Sequence, residues 1–109
     1  MEGAGGCLVP LNDQDLLIDL IDLLGAEVIV VSNHYLGSIN HTLLTIEALH
    51  RRKLRIKGLI FNGDHNPDTE DIILHYAKER CLLRIQKEKE IHAGLVRNYA
   101  AQLKSEWNA

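Results

Sequence analysis

The amino-acid sequence predicts an α/β fold: a parallel sheet with helices on both faces. Two observations lead there. The run Val28-Ile29-Val30-Val31 and the stretch Ile56-Lys57-Gly58-Leu59-Ile60-Phe61 are too short for helices, and the first shows no alternation of apolar and polar residues. Short β-branched runs of this kind mark strands buried on both faces, which are the strands of parallel sheets. Segments with helical periodicity stand between them, and strands separated by helices imply right-handed crossovers that place helices against the sheet.

Residues 1–11 are rich in glycine and read as a loop with a short extended exit, because glycine loses more backbone freedom in a helix than any other residue. A helix is predicted from Asp13 to Leu24. Asp15, Asp19 and Asp22 form a polar stripe, Leu16, Leu17, Leu20, Ile21, Leu23 and Leu24 supply the apolar surface, and Gly25 ends it. The first strand covers residues 27–32. Ser38 is a candidate N-cap for the helix that follows through Lys53. The second strand runs from Ile56 to Phe61, and Asn62-Gly63-Asp64 makes a turn. Pro67 occupies the first position of a helix extending to Lys78. Cys81–Ile85 reads as a third strand and Glu90–Trp107 as a closing helix. The 109 residues suffice for one domain with one core, and residues 1–109 are expected to form it.

Composition excludes several classes of function. Apolar residues make up 46% and charged residues 25% of the chain, the balance of a folded protein rather than a disordered one. A formal net charge of -3 argues against nucleic acid as a partner, since such domains carry basic surface to neutralise phosphates. The basic residues Arg51, Arg52, Lys53, Arg55 and Lys57 are expected at the exposed C-terminal end of a helix, where cations favour the dipole. No window approaches the roughly 20 apolar residues needed to span a bilayer, so no membrane association is expected. Cys7 and Cys81 lack metal-site spacing, and no export signal is evident at Met1, so a cytoplasmic location is expected. The histidines show no HxxxH or HExxH spacing and read as surface or cap residues. Tyr76, Tyr99 and Trp107 read as packing residues.

In parallel α/β sheets, ligands bind outside the carboxyl ends of the strands. Three segments stand out. Glu2-Gly3-Ala4-Gly5-Gly6 places a carboxylate before a glycine-rich loop, which suits Mg²⁺ and phosphate, although an ordinary turn has the same composition. Leu36-Gly37-Ser38-Ile39-Asn40-His41 enters a helix whose N-terminal N–H groups favour an anion, or is simply a capped helix start. Asn62 ends an apolar strand and offers an amide donor and acceptor to a purine edge, or serves as a turn residue.

Taken together and in this order, EGAGG followed by VP, LGSINH between strand and helix, and a strand ending in FNG resemble the dethiobiotin synthetase family. The resemblance is tightest from Glu2 to Pro67, extends more loosely to Trp107, and is to the C-terminal half of the family's chain. It implies a partial P-loop NTPase-like, Rossmann-like sheet. It further implies that Glu2 helps ligate Mg²⁺, that the Gly5 N–H meets the terminal phosphate of ATP, and that Asn62 reads adenine. Gly37, Ser38, Ile39 and Asn40 resemble the helix start that binds the carboxylate of 7,8-diaminopelargonate across a dimer interface. The family's reaction is the MgATP-dependent carboxylation and ring closure of that diamine to dethiobiotin.

Two departures stand beside the resemblance. The family's phosphate-binding GxxxxGK(S/T) loop is absent from these residues, and near the third strand, where the family has glycine and proline, the chain reads Leu83-Arg84-Ile85-Gln86. The chain by itself is therefore expected to be inactive, with a separate N-terminal half as a possible partner and homodimerisation as the expected assembly. The competing reading is a non-catalytic homologue that dimerises or binds a small carboxylate. An unrelated small protein of flavodoxin-like topology is the third.

Overall fold

A computed structural model describes residues 1–108. Along the chain run α1 (Leu17–Leu24), β1 (Val28–Asn33), α2 (Ser38–Arg51), β2 (Ile56–Asn62), α3 (Pro67–Ala77), β3 (Cys81–Ile85) and α4 (Ala93–Trp107). The strands form one parallel sheet in the order β1-β2-β3.

Local chemistry sets the helix ends, and in three places moves them from the sequence expectation. Helix α1 begins at Leu17 rather than Asp13, because the Asn12 side chain accepts the N–H groups of Gln14 and Asp15 at 2.8 Å each and folds this stretch into a closed turn. Asp19 then accepts the N–H of Leu16 at 2.7 Å. Helix α2 is preceded by Gly37, not capped by Ser38. Gly37 adopts φ 93°, and the Ser38 side chain is buried instead of reaching back to the helix mouth. Helix α4 starts at Ala93 rather than near Glu90, with the His92 ring accepting the Leu95 N–H at 3.1 Å. At α3 the expectation holds: Pro67 is its first residue, and Asn66 accepts the N–H of Thr69 at 3.2 Å.

The core lies on one face of the sheet. Val30 of β1 is level with Leu59 of β2, and Ser32 is level with Phe61. These residues meet Ile18 of α1, Ile46 and Leu49 of α2, and Ile73 and Ala77 of α3 in a single buried cluster. Each fully buried Leu, Ile or Phe side chain there contributes about 1.5–3 kcal/mol through removal of apolar surface from water. Ser32 enters the same layer without penalty because its hydroxyl pairs with that of Thr42 at 2.7 Å. Helix α4 covers the opposite face beside β3, and Lys57 reaches over the Trp107 ring at 4.4 Å. Helices thus flank both faces, but unequally: Val31 on β1 remains 57% exposed.

Close strand spacing requires glycine at one point. A Cβ on Gly58 would lie 2.8 Å from the Arg80 carbonyl oxygen and 2.7 Å from Leu82 Cγ. The backbone carbonyl cannot swing aside as a side chain would. Gly58→Ala is therefore expected to lower unfolding stability by about 1–3 kcal/mol. An unchanged urea midpoint and slope would show that β2 and β3 tolerate wider spacing.

Candidate functional site

The carboxyl ends of the strands open into a cavity of about 760 Å³ between the sheet and α4. Leu83 and Ile85 of β3 form one wall, Leu95, Val96 and Leu103 of α4 the other, and Asn33 and Asn62 lie at the strand ends. A largely apolar, solvent-open cleft with a few polar groups at one end has the character of a small-ligand site.

The polar end is pre-arranged. Asn62 Nδ2 donates to Asn33 Oδ1 at 2.8 Å, which fixes the amide orientation and leaves its carbonyl oxygen and second N–H available. Across the cavity, the Tyr99 hydroxyl accepts the N–H of Gln86 at 3.1 Å and donates to Glu88 at 2.5 Å. This bond to the Glu88 carboxylate is the main reason that the Tyr99 phenol is held above its ordinary pKa. One side chain thus ties the segment after β3 to α4. Leu83 and Gln86 both line the cavity.

Behind the strand ends, on the core face, lies a second group of polar residues around a smaller cavity of about 160 Å³. Its centre is Glu70, in the first turn of α3 and 2% exposed. One carboxylate oxygen accepts from Arg84 Nε. The other lies 3.1 Å from His34 Nε2 and 3.6 Å from His65 Nδ1. Burial alone would raise the Glu70 pKa, but the bonds from Arg84 and His34 outweigh it and hold the carboxyl below its ordinary value. His34 stacks on Phe61 with ring centroids 5.7 Å apart, and its Nδ1 is buried without a partner. A carboxylate only accepts, so His34 donates to Glu70 from Nε2.

This cluster is a correction to the sequence expectation for His34, which is a packed interior residue rather than a surface or cap residue. His92 does cap a helix. An acid at a helix start is so common that Glu70 gave no signal of its own. The clue was indirect: His34 and Arg84 stand at the ends of two predicted strands, where parallel sheets converge.

Of the ligand-binding residues that the resemblance assigns, Asn62 alone lines the large cavity. Glu2 is exposed, and Gly5 (φ 89°) and Gly6 (φ 104°) turn the loop before Cys7, whose carbonyl accepts the N–H of Ile18 at 3.0 Å. At the mouth of α2, the Ser38 N–H is taken by the Tyr35 carbonyl at 3.0 Å, while the N–H groups of Ile39 and Asn40 belong to exposed residues. Neither segment shares the cavity with Asn62. For Mg²⁺ the fit is poor: Glu2 offers one exposed carboxylate, and among the described residues no three acidic, histidine or cysteine side chains converge on a metal position. Burial raises the pKa of both Cys7 and Cys81, as suits inert thiols. Among the described residues no helix is long and apolar enough to cross a membrane.

Comparison with known proteins gives this geometry a lineage. The profile of a family described as an AAA domain matches residues 1–94. The ATP-dependent dethiobiotin synthetase of Cytophaga hutchinsonii is 52% identical over 107 residues, covering 98% of this chain and 52% of that protein. That of Christiangramia forsetii is 47% identical over 107 residues, covering 95% and 50%. The biotin biosynthesis bifunctional protein of Bordetella avium is 41% identical over 103 residues, covering 94% of this chain and 22% of its own length. The chain spans about half the length of the two synthetases. It belongs to this AAA-domain family, among the relatives of the dethiobiotin synthetases.

Proposed function

We propose that the chain supplies the adenine-nucleotide pocket of a dethiobiotin synthetase acting in biotin biosynthesis in the cytoplasm. One observation carries the reading. Asn62, the residue that resembles the family's adenine-reading amide, stands at the polar end of the large apolar cavity with its amide oriented by Asn33. Leu83 and Ile85, which line the same cavity, would offer apolar surface to the base, and the Glu88 carboxylate would accept from a ribose hydroxyl.

The reaction would run in the family's order. A substrate amine adds to CO₂ to form a carbamate, the γ-phosphoryl group of ATP is transferred to the carbamate oxygen, and the second amine attacks the carbonyl carbon and expels phosphate. The mouth of α2, from Gly37 to Asn40, would hold the carboxylate of 7,8-diaminopelargonate through the N–H groups of Ile39 and Asn40 and the positive end of the helix. Glu2 and Gly5 would face the phosphates, Glu2 offering one carboxylate where Mg²⁺ takes several oxygen ligands. Leu36, fully exposed just before this helix, and Ile39 and Leu44 on it, partly so, form an apolar surface suited to a second copy of the chain. Residues 1–109 are proposed to act as one domain.

Three outcomes follow. Titration with ADP is expected to show saturable binding that Asn62→Ala weakens about tenfold, as for loss of a hydrogen-bonding partner in a desolvated site. Equal binding of ADP by both proteins would remove Asn62 from the base site. Sedimentation at tens of micromolar is expected to show a dimer; a monodisperse monomer would refute the proposed assembly. Without a GxxxxGK(S/T) loop, the chain alone is expected to form dethiobiotin at a rate several orders of magnitude below the complete site, since single preorganised donors are worth about 2.7–4 kcal/mol each. Turnover by the chain alone would overturn that expectation. Turnover only after addition of a segment carrying that loop would favour the enzyme reading over a non-catalytic, dimerising one.

A further inference from the structure

We propose that Glu70 is the positioning residue of the nucleotide pocket, holding the exits of all three strands in register from the face opposite the ligand. The proposal rests on reading the larger cavity as the nucleotide site.

Successive side chains of a strand point to opposite faces of the sheet. Asn33, Asn62 and Ile85 line the cavity; Phe61 and Arg84 line only the smaller one behind it, and His34 borders both. Glu70 contacts His34 and Arg84 directly, and His34 stacks on Phe61. Every strand end that contributes to the cavity is therefore secured, one residue away, to a single buried carboxylate. His65, 3.6 Å from the same carboxylate, adds the loop between β2 and α3. Two backbone bonds extend the sheet ladder past the strand ends: the His34 N–H donates to the Asn62 carbonyl at 3.0 Å, and the Gly63 N–H to the Ile85 carbonyl at 2.9 Å. These bonds set the relative heights of Asn33, Asn62 and Ile85.

Stability alone does not account for a charge in this place, because replacing a buried ion pair by packed apolar groups is often neutral or stabilising. A carboxylate accepts several hydrogen bonds in fixed directions, which a hydrocarbon of the same volume cannot do. What it adds here is geometry. Glu70 touches no ligand; it acts through the residues that do.

The test compares the full chain with Glu70→Ala and Glu70→Gln by amide hydrogen exchange and by ADP titration. In Glu70→Ala the amides of His34 and Gly63 are expected to exchange about tenfold faster or more, while that of Leu59, bonded to the Arg80 carbonyl at 2.9 Å at the other end of the sheet, is unchanged. ADP affinity is expected to fall about tenfold. Glu70→Gln keeps one acceptor but not the charge and falls between. If Glu70→Ala does not fold, Arg84→Met carries the same readout, with faster exchange at Gly63 and not at Leu59. Unchanged exchange at His34 and Gly63, or equal acceleration at all three amides, overturns the proposal, the latter because it signals ordinary destabilisation. Failure of the unsubstituted chain to bind ADP would count against the nucleotide reading, and the exchange pattern would still decide whether Glu70 sets the strand ends.

Discussion

Parallel pairing of β2 with both neighbours is the constraint from which the remaining architecture follows. Parallel strands cannot be joined by a tight turn, so each connection needs a crossover long enough to return the chain to the starting edge. Helices α2 and α3 are those crossovers. Because the strands follow one another in order across the sheet, right-handed connections place both helices on one face. The core cluster of Val30, Leu59, Phe61, Ile46, Leu49 and Ile73 is the result. The same geometry brings all three carboxyl ends to one rim, where Asn33, Asn62 and Ile85 become neighbours although they are distant in sequence.

Most of this was legible in the residues. The strands announced themselves through β-branched runs of strand length, and Pro67 and Gly25 marked helix limits by their backbone preferences. Boundaries failed where a side chain had two uses. Ser38 read as a cap because its hydroxyl suits one, yet Gly37, with positive φ, makes the turn and Ser38 packs inside. Asn12 diverted the start of α1 into a turn of its own. The apolar count over α1 did not single out Ile18, which is its one buried residue, because nearly every non-acidic position there is apolar and depth depends on what packs against it.

The site was legible to a different degree. Asn62 could be placed because it ends an apolar strand and strand exits are where parallel sheets bind ligands. Glu70 could not. Its burial requires a histidine after β1 and an arginine on β3 to arrive together, and a contact between residues 34, 70 and 84 exists only once the sheet has assembled. Tyr99, one of two tyrosines read as packing, proves to do polar work as well, joining Gln86 to Glu88 through one hydroxyl.

Helix α4 contains no fully buried residue. It makes up one entire wall of the large cavity and is held by Tyr99, by Lys57 over Trp107 and by partly covered leucines. A segment anchored so lightly opens at a smaller free energy than the core beneath it. Occupancy of the cavity and order of this helix are consequently two sides of one equilibrium. Whatever fills the space between α4 and β3 stabilises the closed arrangement by RT ln(1 + [L]/Kd), and the intrinsic affinity is diminished by the fraction of molecules in which the wall stands open. Packing of the Leu95 and Leu103 side chains then becomes a determinant of how tightly a ligand is held.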